Sequence, residues 1–419
     1  MKARRLKQEI YFPIIILVHF GFWAVDLALY QGTYEFSSKH VVGEIFSSWV
    51  MTVFAANFLM ATRARWVERI FGGLDKMYLI HRRSGIIAAV LLLLHFLVVP
   101  RDPSFTVGKP LGFAAFALIF VGVVVAAAPA LKRRISYGKW LKSHRLMGIA
   151  YLLGVAHAFN VPTLTSELPI VRAYVYGMAL IGVGSWVYLT FVYRLVNRRF
   201  SYEVTGVERF DNDVVQVAMK PTGAALTYEA GQFAFVAFGE QRSFELHPFT
   251  LSSHPGAAEL RVSIKALGDE TAHLQTAISV GSKVSLVGPY GRMNYKTARH
   301  KKQLWLAGGI GITPFLSFAQ GVSDAYDVTL IWSVRSAAEA NQDEELRDAA
   351  QARSSLAYVL HDASEAGHFA IGRRYRTADL LDTSVYICGP EVMREAYIAQ
   401  LLEKGVHLND IHYETFSFR

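Results

Sequence analysis

Cysteine is all but missing from this chain: Cys388 is the only one in 419 residues. A single thiol excludes an intrachain disulfide, a cysteine-held iron–sulfur cluster and CxxCH-type covalent attachment of a porphyrin. Charge is sparse as well, at 18% of residues, and acidic side chains are the rarer kind, 34 against 43 basic, for a net charge of +9. The excess is not gathered into a basic stripe interleaved with exposed aromatics on a compact domain, which argues against a nucleic-acid partner. No loop has the ligand pattern of a calcium-binding EF-hand.

What the chain has instead is apolar length, 52% hydrophobic residues, concentrated before Arg194. Apolar runs near 10–31, 41–62, 78–99, 111–130, 141–160 and 170–193 are each long enough to cross a bilayer, so a six-helix, all-α transmembrane bundle is predicted. Basic residues mark alternate connections: Lys2, Arg4, Arg5 and Lys7; then Arg63, Arg65, Arg69 and Lys76; then Lys132, Arg133, Arg134, Lys139 and Lys142. By the positive-inside rule these face the cytoplasm, together with the N-terminus and everything after Arg199. The first run is too long for the h-region of a cleaved signal, and no small-residue cleavage site stands out. The basic loops are expected to lie against anionic headgroups of the cell membrane.

Inside those runs stand four histidines in two pairs, His81 with His95 and His144 with His157, fourteen and thirteen residues apart. An ionisable side chain in hydrocarbon is costly and marks a functional site. Neutral imidazole is a metal ligand, and haem iron accepts one from each side. At about 1.5 Å per residue, the members of a pair lie roughly 20 Å apart along a helix, one near each face of the membrane. Two non-covalent b-type haems, one above the other, follow. Fourteen residues return to nearly the same helix face, but thirteen do not, so the second pair requires a bend, supercoil or π-bulge, with Gly148 and Gly154 between its members. His19, without a partner of this kind, reads as a hydrogen-bonded core residue.

The remaining residues read as two soluble domains. From Ser201 to about Tyr295, five short strands separated by turns predict an antiparallel β-barrel. Within it His247, Pro248, Phe249 and Thr250, followed by Ser252, form a segment suited to an isoalloxazine edge, with Thr250 bonding the ring; an ordinary strand ending in a turn has the same pattern. Lys265, Gly268 and Thr271 precede a helical run, with Thr271 placed as its N-cap. A diphosphate at that helix start and simple capping explain these residues equally.

The last domain opens with a strand, then Gly308, Gly309, Gly311, Thr313 and Pro314, a strand–glycine loop–helix sequence in which Pro314 fits the first helical turn. The spacing is not GxGxxG, so the dinucleotide fingerprint does not apply directly. Arg335, after a second strand at 328–333, suits a 2′-phosphate or is a solvated strand-end arginine. A third strand, 384–387, ends in Cys388, Gly389 and Pro390, where Cys388 is either a nicotinamide neighbour or a small buried residue.

In their order, HPFT, Lys265 to Thr271, GPYG, GGIGITP, CGP and the terminal Glu414-Thr415-Phe416 resemble the ferredoxin-NADP reductase superfamily, and the apolar half resembles a ferric reductase-like domain. The combination is similar to the NADPH oxidase family, especially its compact bacterial members. The resemblance implies domains at 1–199, 200–298 and 299–419: the haem-binding bundle, an FAD-binding barrel and an α/β NADPH-binding domain. It implies that His81 and His144 hold the cytoplasmic-side haem and His95 and His157 the outer one. His247 to Thr250 would contact FAD, Gly308 to Pro314 would cradle the NADPH phosphates, and Cys388 would lie near the nicotinamide. Phe416 would stack on the flavin, with Phe418 as the alternative. The implied activity is electron transfer from NADPH through FAD and two haems to external dioxygen, giving superoxide; ferric chelates are the alternative acceptor. No obligatory regulatory subunit is expected.

Overall fold

The computed structural model describes residues 11–30, 37–100, 106–128, 134–135, 137–197, 199–239 and 246–414. It divides into two units, the break falling between Asn197 and Arg198.

The first unit is helical. Its main helices are α1 (Tyr11–Leu29), α2 (Ser38–Ala61), α3 (Leu74–Val98), α4 (Gly108–Ala127), α5 (Met147–Phe159) and α6 (Pro169–Val187). Among the described residues, four are long and apolar enough to cross a membrane: α2, α3, α4, and α6 with its π-helical continuation to Val192. Four of the six expected spans are thus seen among the described residues. The described apolar part of α1 is Ile15–Leu29. The fifth run is broken by a turn at Arg145 and Leu146 between the short helix Tyr137–His144 and the 13-residue α5. At 1.5 Å per residue α5 is about 20 Å long, short of a hydrocarbon core of about 30 Å.

α2 is the inner helix of this unit, with 61% of its apolar window enclosed against 11–22% for the other three. Trp49, Val50, Val53 and Phe54 of α2 share a core with Trp23, Ala88, Tyr151 and Val175. The outward faces are apolar too, with Leu97, Phe113, Val121 and Leu180 at least 60% exposed. Such a surface is unfavourable in water and suits lipid. Buried polar groups on α2 are paired: Glu44 accepts from the Leu164 and Thr165 amides, both at 2.7 Å, and Ser48 meets His19 at 3.0 Å. That places His19 as the hydrogen-bonded core residue expected. Breaking the buried Glu44 cap leaves two amides without acceptors, so Glu44→Leu is expected to destabilise this unit by about 1–3 kcal/mol for each unsatisfied group, measured as a lower melting midpoint in detergent.

The second unit holds two sheets. Strands β1 (Phe200–Phe210), β2 (Val214–Pro221), β3 (Phe233–Phe238), β4 (His247–Thr250), β5 (Leu260–Lys265) and β6 (Lys283–Tyr290) form one antiparallel sheet in the order β4-β3-β6-β1-β2-β5. β4 and β5 are its ends, and just past β4 the Ser252 amide donates to the Arg261 carbonyl at 2.8 Å. Alternate side chains along β1 and β2, such as Tyr202, Val204, Val215 and Val217, are buried in its core. Helix α7 (Asp269–Ala277) follows β5.

The last sheet is parallel: β7 (Lys302–Gly308), β8 (Asp327–Val334), β9 (Leu356–Asp362), β10 (Ser384–Cys388) and β11 (Ile411–Tyr413), ordered β11-β10-β7-β8-β9. Helices α8 (Thr313–Ala319), α9 (Asp343–Gln351) and α10 (Glu391–Glu403) belong to its crossovers. The strand order reverses between β7 and β10. In open α/β sheets, ligands bind in the crevice outside the carboxyl ends of the strands at that reversal.

Candidate functional site

In the helical unit the histidine pairing is physical. His81 of α3 and His144, the last residue of the short helix before α5, face each other with ring centroids 6.0 Å apart and planes at 71°. An iron with an imidazole on each side, at metal–nitrogen distances of about 2 Å, holds ring centroids roughly 6 Å apart. The break at Arg145 and Leu146 removes the angular problem of the thirteen-residue spacing, because His144 and His157 do not share one continuous helix. The relief comes from this turn, while the π-helical segment lies elsewhere, at Tyr188–Val192.

Backbone carbonyls orient the rings. His95 Nδ1 donates to the Gly43 carbonyl and His157 Nδ1 to the Gly108 carbonyl, both at 2.8 Å. His81 bonds the carbonyl of Asn57. A neutral imidazole that donates through Nδ1 keeps its Nε2 lone pair for a metal. Asn57 and Gly43 lie fourteen residues apart on α2, as His81 and His95 do on α3, and the residue numbers of each bonded pair add to 138. The two helices therefore form an antiparallel pair that repeats one histidine-plus-carbonyl unit at two depths. His144 Nδ1 is buried without a hydrogen-bond partner among the described residues, and its ring stacks on Trp140 at 5.1 Å. Among those residues no group of three or more His, Cys, Asp or Glu gathers for a metal. Paired histidines fit a metal whose other ligands come from a macrocycle.

Gly112 was not singled out by sequence, yet it makes room for this arrangement: a Cβ there would stand 2.6 Å from His157 Nδ1. Gly112→Ala is expected to displace that ring, at a packing cost of about 1–3 kcal/mol. If His157 holds a haem, as the resemblance implies, the Soret absorbance per protein should fall while flavin content holds; unchanged absorbance would contradict that role.

In the second unit, HPFT is the edge strand β4, paired with β3 so that Thr250 stands opposite Phe233. His247, Pro248 and Phe249 are half-buried and Thr250 and Ser252 buried. Burial pushes the His247 imidazole below its ordinary range, the charge of Glu270 offsetting part of this. Thr250 Oγ1 makes no hydrogen bond among the described residues, whereas Ser252 Oγ donates to the Arg261 carbonyl at 3.2 Å. Thr271 is not the N-cap. Gly268 is, and Thr271 stands three residues on, its hydroxyl accepting from the Leu267 and Gly268 amides at 2.9 and 3.0 Å. Those amides are thus already engaged, and Asp269 and Glu270 in the same turn oppose an anion there. Lys265 pairs with Glu339 at 3.9 Å.

At the carboxyl end of β7, Gly309 takes φ +51° and opens a short 3-10 turn to Ile312; Pro314 then occupies the first turn of α8. Trp332 Nε1 donates to the Gly309 carbonyl at 2.9 Å and Thr313 Oγ1 to the Ile310 carbonyl at 3.2 Å, fixing the loop. The loop lies against the end of β10. A Cβ on Gly311 would strike the Cys388 carbonyl, and one on Gly308 would meet Pro390 Cδ at 3.0 Å. The glycine loop and Cys388-Gly389-Pro390 therefore share the switch-point crevice. Cys388 itself is wholly buried. Arg335, one residue past β8, is exposed and ion-paired to Glu339 at 2.9 Å. Phe416 and Phe418 lie outside the described residues. The buried Glu414 just before them accepts from the Arg292 and Met293 amides at 3.2 and 3.4 Å, a contact sequence did not reveal.

Three family models match in succession: a ferric reductase like transmembrane component over residues 46–155, an FAD-binding domain over 199–307 and an oxidoreductase NAD-binding domain over 305–398. These matches support a transmembrane, NAD(P)H-dependent flavin oxidoreductase. Among curated relatives, the reductase component of propane 2-monooxygenase from Rhodococcus jostii (strain RHA1) is 26% identical over 51% of this chain and 62% of its own length. Putative respiratory burst oxidase homolog protein G of Arabidopsis thaliana is 28% identical over 46% of this chain and 24% of its own length. The chain thus spans less than two thirds of these relatives. A flavohemoglobin from Malassezia yamatoensis, solved with FAD and heme, shares the fold at TM-score 0.53 and 19% identity, over 91% of this chain and 99% of that one. The ferric reductase-like component, both dehydrogenase domains and the respiratory burst oxidase homologues among its relatives make the chain similar to the NADPH oxidase-like family.

Proposed function

We propose that this protein is a transmembrane NADPH oxidase that takes electrons from cytoplasmic NADPH and delivers them to dioxygen outside the cell membrane, forming superoxide. The observation that carries this reading is His81 facing His144 at 6.0 Å, with His95 and His157 each oriented by a backbone carbonyl. When bound, FAD would turn a two-electron donor into single electrons and two b-type haems would carry them across the bilayer. His81 with His144 would hold the cytoplasmic-side haem and His95 with His157 the outer one.

On the donor side, Gly308, Gly309, Gly311, Thr313 and Pro314 would admit the NADPH phosphates to the start of α8, where helix amides and the absence of Cβ atoms favour an anion. Arg335 would take the 2′-phosphate. Cys388, Gly389 and Pro390 shape the floor of the crevice through their backbone. His247, Pro248, Phe249 and Thr250 would line the flavin, with the Thr250 hydroxyl as a donor to the ring. The Gly268 helix start, with Lys265 and Thr271 beside it, would carry the weaker diphosphate contact because its first turn is acidic. Phe416 or Phe418 would cover the flavin until nicotinamide displaces it.

Purified protein supplied with FAD and NADPH should reduce cytochrome c in a manner that superoxide dismutase suppresses. The match to a ferric reductase like component favours a second reading, a ferric-chelate reductase with the same donor machinery. Rapid reduction of ferric chelates with no effect of dismutase would replace the first reading by the second.

A further inference from the structure

The segment that carries Arg335 is tied to the flavin-binding sheet through Glu339. Asn212 Nδ2 donates to the Glu339 carbonyl at 3.0 Å, and Asn341 Nδ2 donates to Asn212 Oδ1 at 2.8 Å. The Glu339 carboxylate meets Lys265 through one oxygen at 3.9 Å and Arg335 through the other at 2.9 Å. Its side chain is 20% exposed, whereas that of Arg335 is 79% exposed. The carboxylate is therefore held in place, and the guanidinium is the partner free to swing. Glu339, Lys265, Gly309, Ile310 and Trp332 border one small cavity beside the glycine loop.

We infer that Glu339 is a specificity-determining residue, setting the balance between a nicotinamide dinucleotide that carries a 2′-phosphate and one that does not. This rests on the proposed role of the glycine loop and Arg335 in binding NADPH. To meet a 2′-phosphate, Arg335 either leaves Glu339 or brings the dianion beside a fixed carboxylate. Both cost NADPH and neither costs NADH, whose 2′-hydroxyl can donate a hydrogen bond to a carboxylate. Lys265 holds Glu339 near the cavity and offsets part of its charge. The carboxylate thus lowers the discrimination that Arg335 alone would give.

The test is E339Q in the full-length, FAD-loaded protein, which preserves side-chain size and the backbone bond to Asn212. Binding of 2′,5′-ADP and 5′-AMP is measured by calorimetry, alongside KM for NADPH and NADH. The expected result is tighter 2′,5′-ADP binding, by about two- to fivefold for loss of an exposed ion-pair competitor, with 5′-AMP unchanged or weaker. The gain must vanish in R335A/E339Q, where the guanidinium is gone. Equal changes for both nucleotides, or no change in their ratio, overturn the inference. R335A separates the two levels: if it lowers the 2′,5′-ADP preference while E339Q leaves it alone, only the role of Glu339 falls; if R335A leaves the preference intact, the nucleotide reading beneath it falls. Should E339Q lose FAD, E339A and its R335A double variant are judged by the same ratios.

Discussion

Replacing His95 with alanine is expected to leave a protein that binds about one haem per chain instead of about two, reduces its flavin normally with NADPH, and passes no electrons to cytochrome c. Imidazole Nε2 is the only atom that His95 can offer an iron, since Nδ1 is committed to the Gly43 carbonyl. Alanine removes the ligand and leaves that carbonyl to its helix. His81 and His144 belong to a different depth of the unit, so the remaining haem should keep a low-spin spectrum. Loss of about four orders of magnitude or more in electron transfer follows if no second path exists, equivalent to roughly 5.5 kcal/mol in barrier. Pyridine haemochrome quantification and stopped-flow flavin bleaching are the measurements. Full haem content in the variant would remove His95 from the ligand set.

The second large effect is expected at Gly311. Its backbone angles are ordinary, so the constraint is space: a Cβ would strike the Cys388 carbonyl and stand 2.7 Å from the Gly389 amide. Both obstacles are backbone and neither can rotate away. Gly311→Ala must push the glycine loop off the end of β10, costing about 1–3 kcal/mol or more, and raise KM for NADPH by at least about tenfold. Gly309→Ala provides the contrast. Gly309 sits at φ +51° with open space around it, so its penalty is the left-handed backbone alone, about 1–2 kcal/mol. Thermal melts and NADPH-dependent flavin reduction separate the two. Equal behaviour of both variants would mean that the loop does not pack against β10 as described.

The contrast between these glycines also shows how far local sequence reaches. The glycine loop, Pro314 in the first turn of α8 and the strands on either side were readable because glycine and proline impose backbone geometry within a few residues. β9 and β11 went unnoticed, the latter being only three residues long and held by its neighbour β10. The turn at Arg145 and Leu146 carries neither glycine nor proline, so an apolar run through it reads as one helix. The sequence points to Thr271 as the N-cap, but it stands three positions further into the helix, because Gly268 serves as N-cap with no side chain to announce it. The four histidines are visible as costly residues in apolar runs. The carbonyls that orient them are not, since Asn57, Gly43 and Gly108 act through the backbone, and only helix packing brings them to the rings.

In the proposed function, the spacing of His81 and His95, mirrored by Asn57 and Gly43, is what would carry electrons toward an acceptor beyond the membrane. Its direct test is anaerobic addition of NADPH to the purified, FAD-loaded protein while flavin and haem bands are followed together. The account predicts that the flavin and about two low-spin haems per chain become reduced by NADPH alone. Bleaching of the flavin with no haem reduction, or a protein with no haem spectrum, would contradict it.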